Sequence, residues 1–500
     1  MNIVIRADAS VHIGSGHVMR CLVLAQELQQ QGHHVRFACR RQLGHSIDFI
    51  VAKGFKVLEL IPVENESVPQ NTADYAAWLQ VSWDVDAASF INEVGFADLV
   101  IVDHYGLNKN WQSRVRDTLS CKIFVIDDLV REHDADIILD QTLLRTAQEY
   151  QLTNPSSKML MGCDFALLNP MFAGYREKAL ELMPFSDVAN ILVTMGGIDQ
   201  PNATLSVLRA LSLSAQAIKV TVLLSERAPH YQIVKSFCDG FSWITHIDFV
   251  DNMAHLMLEH DIAIGAPGST TWERACLGIP AVIIPLADNQ LTISQKMRAV
   301  NAAISLDVER IEAELLTAIE QIKASYSTFK ATNLGLCDGL GVKRVVANIN
   351  ALSIDASQIN IRRANNTDID IVYQWQCHEN TRRYALNPSI PTFSEHETWM
   401  SNKVIDKNHY FYLIELNEIR VGVVRLDRLT AGEYVVSIFI SPDYYGQGLA
   451  KQALNYIDYI HAHVTIHATV FKDNIASQKL FLSANYQRTS DESFIRTPVI

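Results

Sequence analysis

Asn190-Ile191-Leu192-Val193-Thr194-Met195-Gly196-Gly197 decides the fold, because a β-branched run empties into a glycine turn and a helical pattern begins near Ala203. The start of the chain has the same order. Asn2-Ile3-Val4-Ile5-Arg6-Ala7 leads to Gly14-Ser15-Gly16-His17 and to a helix predicted over Val18–Gln30. Strand, glycine turn and helix, occurring twice, predict two sheets, each with a loop that can approach a phosphate in front of a helix N-terminus. Outward from the first turn, strands are predicted at Val35–Cys39, Leu99–Asp103, Ile123–Asp127 and Ile137–Asp140. Outward from the second they are predicted at Lys219–Leu224, Trp243–Asp248, Ile262–Gly265 and Ala281–Pro285. Short strands alternating with helical patterns are the mark of parallel α/β sheets. Pro155, Pro170 and Pro184 place a hinge within Asn154–Ser186, dividing residues 1–352 into halves of about 1–170 and 171–352.

Past a closing helix at Val342–Ala351, the polar stretch 353–358 reads as a linker and the pattern changes. Tyr410–Leu416, Arg420–Leu426 and Tyr434–Ile440 are closely spaced strands, followed by a helix over Lys451–Ala462. Residues 359–500 are therefore expected to form a separate α+β domain.

A chain of 500 residues exceeds what one core supports, so several units are expected. The 48% apolar and 19% charged content is that of a folded chain, and no stretch approaches the roughly 18 apolar residues of a membrane helix. The N-terminus reads as a first strand rather than a leader, so the chain is expected to be cytoplasmic. Eight dispersed cysteines without a C-x-x-C pair predict reduced thiols and no metal centre. A net charge of −13 argues against nonspecific attraction to nucleic acid or anionic membranes. Any phosphate ligand must be held by local backbone dipoles and a few placed side chains.

His17, carried by Gly14-Ser15-Gly16 to the start of a helix, is aimed into the ligand cleft. The positive end of the helix disfavours a protonated imidazole, which suits a general base, although a histidine that merely caps or packs fits the same position. In the second half, Ala266-Pro267-Gly268-Ser269-Thr270-Thr271-Trp272-Glu273 follows a strand, and Asn289-Gln290 follows the next. Gly268, Ser269 and Thr270 offer N–H groups and hydroxyls to a diphosphate, and Glu273 can accept from ribose hydroxyls. The plain alternative makes Ser269 or Thr270 an N-cap and Glu273 a dipole-compensating charge. Asp8 and Asp103 end neighbouring strands, where either can orient His17 or a sugar hydroxyl, or cap a loop.

Gly-Ser-Gly-His-Val-Met-Arg at 14–20, Arg6-Ala7-Asp8, Asp103-His104-Tyr105-Gly106, Ile126-Asp127-Asp128, Met195-Gly196-Gly197 and the Gly268–Glu273 loop together resemble the UDP-sugar hydrolases of pseudaminic acid biosynthesis. These are relatives of the GT-B glycosyltransferases, and the resemblance covers Met1 to Ala351. It implies a GT-B-like pair of Rossmann-like domains and the substrate UDP-2,4-diacetamido-2,4,6-trideoxy-β-L-altropyranose. It also implies metal-independent cleavage of the anomeric C–O bond with His17 as base, and substrate contacts at Gly16, Tyr105, Gly196, Gly197, Gly268, Ser269, Thr270, Glu273, Asn289 and Gln290.

Residues from Asn360 to about Thr489 resemble the GNAT acetyltransferases. Trp375, Arg382, Asn387 and Ser394–Trp399 look like the members that act on amino-sugar nucleotides. Ile440 to Ala450, with Gly446, Gln447, Gly448, Leu449 and Ala450, matches the acyl-CoA loop, and Asn474 with Ser477 fits the later motif. The implied co-substrate is acetyl-CoA. Two positions depart from the family pattern: Tyr445 stands where glutamine or arginine is usual, and Phe481 stands where a general-acid tyrosine is frequent. Glu433, His396 and His409 are candidate bases, and a degenerate, purely structural domain is the alternative. Together the two resemblances imply a bifunctional enzyme of one pathway. The alternatives are a GT-B transferase that moves the sugar to an acceptor and a nucleotide-sugar binding module without catalysis.

Overall fold

The computed structural model describes residues 1–63, 67–71, 73–182, 189–214, 218–352 and 359–499; the side chain of Asn289 and the predicted linker at 353–358 lie outside that set. The chain divides into two compact units, Met1–Val346 and Ala347–Ile500, and the helix Gly341–Ala351 spans the boundary.

The first unit holds two parallel sheets. β1 (Asn2–Ala7), β2 (His34–Cys39), β3 (Lys56–Glu59), β4 (Leu99–Asp103), β5 (Lys122–Ile126), β6 (Ile137–Asp140) and β7 (Lys158–Met161) run in the order β3-β2-β1-β4-β5-β6-β7. The side chains of the central strands β1, β4, β5 and β6 are almost wholly buried on both faces, as a sheet covered by helices requires. β8 (Ala189–Thr194), β9 (Ile218–Leu223), β10 (Ile244–Ile247), β11 (Ile262–Gly265), β12 (Ala281–Ile283) and β13 (Ala303–Ser305) follow in the order β10-β9-β8-β11-β12-β13. Strand order reverses between β1 and β4 and again between β8 and β11, and such switch points open a crevice at the strands' carboxyl ends. Both glycine turns leave from them.

The predicted hinge stretch carries regular structure. Lys158–Met161 is the last strand of the first sheet, and its Lys-Met-Leu-Met sequence has no β-branched residue to announce it. The helix Met171–Ala179 then packs on the second half: Phe172 joins the core around Trp272 and Cys276, and Arg176 donates to the carbonyls of Cys276, Cys337 and Leu334. The chain returns at Gly341, where an added Cβ would lie 2.2 Å from the Ala166 carbonyl oxygen, and Arg344 donates to the Asp164 carbonyl. The two halves are thus tied at both ends of the second sheet's segment.

The second unit holds one mixed sheet of β14 (Ile359–Arg363), β15 (Tyr410–Leu416), β16 (Ile419–Thr430), β17 (Glu433–Ile440), β18 (Thr465–Thr469), β19 (Gln487–Arg488) and β20 (Ser493–Arg496), in the order β14-β15-β16-β17-β18-β20-β19. Asn417 and Glu418, both at positive φ, make the two-residue turn between β15 and β16. All pairings are antiparallel except β17 with β18, which is parallel and joins only Glu433–Val435 to Thr465–His467. Beyond those residues β17 stays with β16 as far as Ile440 and β18 goes with β20, so a wedge opens in the sheet.

Candidate active sites

Gly14, at φ +75°, closes the turn by donating to the Ser10 carbonyl, and the helix Gly16–Gln30 starts two residues later. His17 therefore sits in the helix's first turn, 9% exposed, with Nδ1 2.6 Å from Oδ1 of Asp103, the last residue of β4. Arg20, one turn further along, grips the same carboxylate with both arms of its fork: Nε donates to Oδ2 and Nη2 to Oδ1, each at 2.6 Å. Burial alone would raise the Asp103 carboxyl, but the Arg20 charge and then His17 hold it well below the usual carboxylate range. An ionised Asp103 takes the proton-bearing side of the imidazole at Nδ1 and leaves the lone pair on Nε2, the tautomer a base needs.

Aromatic rings wall this imidazole. Tyr105 meets it edge-on at 4.7 Å, Trp78 lies 6.3 Å away, and Tyr75 contacts both of those rings at 4.9 Å. Burial and then Asp128 push the Tyr105 phenol well up. Tyr75 and Trp78 were not singled out in the sequence; the available signal was Asp74, which caps the short helix Tyr75–Trp78 by accepting from the Ala77 N–H.

Asp8 is placed elsewhere. Its Oδ1 accepts from Arg6 Nη1 at 2.6 Å and from the Arg40 N–H at 2.7 Å, while Arg6, Arg40 and the Trp111 indole all donate to the buried Asp86. His104 Nε2 lies 3.5 Å from the other Asp8 oxygen, and His104 Nδ1 accepts from the Gly106 N–H. Asp8 is thus part of a buried charge network that braces the loop bearing Tyr105, and Asp103 is the carboxylate at the imidazole.

From the second half, Gly196 adopts φ +88°, and the nearest atom to a Cβ built on Gly197 is Ser15 Oγ, at 3.9 Å. The two glycine turns therefore face each other. Gly268 has open space around it, and Ser269 stands exposed at the N-cap position of the helix Thr270–Cys276 without a side-chain cap hydrogen bond. Burial pushes the Glu273 carboxyl up to about 7, and its Oε2 has no hydrogen-bond partner among the described residues. Beside it Arg274 is buried, donates to the Ala266 carbonyl, and is lowered to about 10 by that burial. Gln290 Oε1 accepts from the Leu286 N–H.

In the second unit, β17 ends at Ile440 and the chain turns through Gly446 and Gly448, at φ +79° and +76°, into the helix Leu449–Ile460. A Cβ on either glycine would meet nothing within 4 Å, and Gln447 is exposed, so the loop is open for close approach. The Gly448 carbonyl accepts from the Lys451 and Gln452 N–H groups, and the N–H groups of Leu449 and Ala450 lie in the first turn, with no intrahelical carbonyl to meet. Asn474 caps the helix Ile475–Ser483 by accepting from the Ser477 N–H, which gives both residues a structural role. Among the candidate bases, both His396 ring nitrogens are engaged, by Gln376 Oε1 at 2.7 Å and the Ile369 carbonyl at 3.1 Å, and burial lowers its affinity for a proton. His409 accepts from the Arg428 N–H, whereas Glu433 is exposed at the start of β17. Phe481 is buried against Tyr486 and Phe494, and the Tyr486 hydroxyl donates to Asp458.

The fold defines the class: a GT-B-like pair of Rossmann-like halves and a GNAT-like α+β domain in one chain. Residues 190–334 match the glycosyltransferase family 28 C-terminal domain, and residues 358–487 match the acetyltransferase (GNAT) domain. MurG of Acinetobacter baumannii superposes with a TM-score of 0.50 at 16% identity, over 70% of this chain and 99% of its own. Among curated relatives, an uncharacterised protein of Methanocaldococcus jannaschii is 23% identical over 98% of this chain and 97% of its own. UDP-2,4-diacetamido-2,4,6-trideoxy-beta-L-altropyranose hydrolase of Campylobacter jejuni is 27% identical over 55% of this chain and 89% of its own. Acetyltransferase PseH of the same species is 27% identical over 24% of this chain and 78% of its own. No helix among the described residues is long and apolar enough to cross a membrane, and those residues contain no group of three or more His, Cys, Asp or Glu arranged to hold a metal ion.

Proposed function

We propose that the first unit hydrolyses a UDP-linked 2,4-diacetamido sugar of the pseudaminic acid pathway and that the second N-acetylates its 4-amino precursor with acetyl-CoA. The observation that carries the first half is the His17–Asp103 pair at the first glycine turn, facing the second glycine turn across the unit. His17 Nε2 takes a proton from water as the water oxygen attacks the anomeric carbon. The anomeric C–O bond breaks, and its electron pair departs with UDP. Asp103 then faces the imidazolium, and N–H groups near Gly268–Thr270 face the diphosphate. Glu273 and the Gln290 amide are the remaining polar groups for the nucleoside.

For the second unit, the open Gly446–Gly448 loop before the helix Leu449–Ile460 fits a pyrophosphate, and the wedge past Val435 and His467 fits the thioester arm. The amine attacks the acetyl carbonyl, an amide forms, and CoA leaves as the thiol. Positioning supplies most of that rate, so a missing acid at Phe481 is compatible with turnover. The test is incubation with the diacetamido and 4-amino UDP-sugars in 18O-water, with and without acetyl-CoA, read by mass spectrometry. The expected outcome is 18O on the free sugar, unlabelled UDP, and acetyl transfer only to the amino sugar. Label on UDP, or no release of UDP, overturns the hydrolase reading; no acetylated product overturns the transferase reading.

A further inference from the structure

Arg20 is the residue of the first site whose geometry exceeds what the reaction above assigns. Its guanidinium is the cation that both Asp103 oxygens meet, and its Nη2 stands 3.3 Å from His17 Nδ1. The charge balance around the imidazole includes Asp103 from β4, Arg20 and Cys21 from its own helix, Tyr105 from the loop after β4, and Asp128 from the loop after β5. Cys21 Sγ is 3.4 Å from Asp103 Oδ2, and Asp128 is 3.8 Å from Arg20 Nη1. The Trp78 ring lies 6.3 Å from the imidazole, and Tyr75 contacts Trp78.

We infer that Arg20 is a positioning residue for the base: by pairing with Asp103 and fixing both its oxygens, it limits how strongly that carboxylate favours a proton on His17 and holds the hydrogen of the neutral imidazole on Nδ1. This rests on the reading of His17 as the base. With Arg20 present, the fully buried Asp103 already has a cationic partner, so a proton on His17 gains less from that carboxylate than it would without Arg20. Without Arg20, the same carboxylate faces the imidazole alone, and protonating His17 becomes the way to neutralise it. The fork also matters, because two parallel N–H bonds fix the carboxylate plane, and that plane aims Oδ1 at Nδ1. A lysine supplies the charge without the plane.

The experiment compares Arg20→Gln and Arg20→Lys in the full-length protein. His17 is titrated by NMR in histidine-labelled, substrate-free protein, with its resonance identified by loss in His17→Gln, and the kcat/KM pH profile is measured alongside. Arg20→Gln is expected to move the His17 titration, and with it the acid limb of kcat/KM, upward by about one pH unit or more. Arg20→Lys is expected to leave the limb within about half a unit of wild type while kcat falls, because the charge remains and the fork is lost. An unmoved titration in Arg20→Gln, or an equal upward move in Arg20→Lys, overturns the inference. If Arg20→Gln does not fold, the charge-balanced pair Arg20→Gln with Asp103→Asn carries the test: His17 should then titrate no higher than in wild type, and a higher value refutes the charge argument. The substrate-free titration answers whether or not the protein hydrolyses a UDP-sugar, so the two readings fail separately.

Discussion

Replacing Glu273 by glutamine tests the nucleotide side of the cleft with a magnitude taken from the structure. Burial pushes this carboxyl up to about 7 from an ordinary 4.5, so near neutral pH it is roughly half ionised. A group raised in the folded state contributes stability that is present below the unfolded value and lost as pH rises through the folded one. Wild type should therefore weaken relative to Glu273→Gln between about pH 4.5 and 7. At about 1.4 kcal/mol per pH unit, the full difference is on the order of 3 kcal/mol, an upper figure because Glu273 is only partly shielded from water. Ribose hydroxyls donate to a carboxylate but gain less from the neutral acid, so UDP should bind the ionised form preferentially. The ionised fraction rises from roughly a tenth at pH 6 to roughly nine tenths at pH 8, which predicts an affinity for UDP higher at pH 8 by a factor of up to about ten. Glu273→Gln carries no such titration and cancels the pH dependence of UDP itself. The assays are urea unfolding and calorimetric titration of both proteins at pH 5, 6, 7 and 8. Parallel stability profiles would refute the raised carboxyl, and parallel affinity profiles would refute its contact with the nucleotide.

Loss of the base in His17→Ala should lower UDP release by about a hundredfold or more while acetyl transfer by the same chain is unchanged; steady-state assays of both activities check it. Gly448→Val forces a β-branched residue to φ +76° and projects methyls into the open loop, at about 1–2 kcal/mol of backbone strain, so acetyl-CoA affinity should fall on calorimetric titration. Removing the cap in Asn474→Ala should cost about 1 kcal/mol and lower the acetyltransferase unit's Tm by a few degrees. A fall in acetyl-CoA affinity with an unchanged Tm would instead show that Asn474 touches the cofactor.

The strands that sequence revealed are those rich in β-branched residues and flanked by glycine turns: β1, β4, β8 and β11 form at or close to their predicted bounds. Lys56–Glu59, Lys158–Met161 and Ala303–Ser305 went unseen because each is a short edge strand, and partial exposure admits lysine, glutamate and methionine. In the second unit the glycine loop was readable because positive φ demands glycine. The wedge was not, since it arises from how few residues β17 shares with β18, and pairing length leaves no local mark.

The question left open by sequence, whether Asp8 or Asp103 meets His17, turns on register, which no single segment contains. β1 pairs with β4 so that Ala7 lies opposite Asp103. Side chains alternate across a strand, so the residue after Ala7 is directed to the other side from Asp103. Asp8 thereby shares a side with Arg6, two residues back, and the two form the ion pair seen at 2.6 Å. The same parity leaves Asp103 to the side where the helix Gly16–Gln30 begins, and there the spacing of His17, Arg20 and Cys21 presents three groups of one helix face to a single carboxylate. A one-residue slip between β1 and β4 would put Asp8 and Asp103 on the same side of the sheet, so that either the imidazole or the buried Arg6 network would lose its carboxylate. Which carboxylate meets His17 is therefore specified less by the glycine turn that delivers the imidazole than by the packing that fixes this register. Ile3, Val4, Ile5, Leu99, Val100 and Ile101, all fully buried, hold the two strands in that alignment.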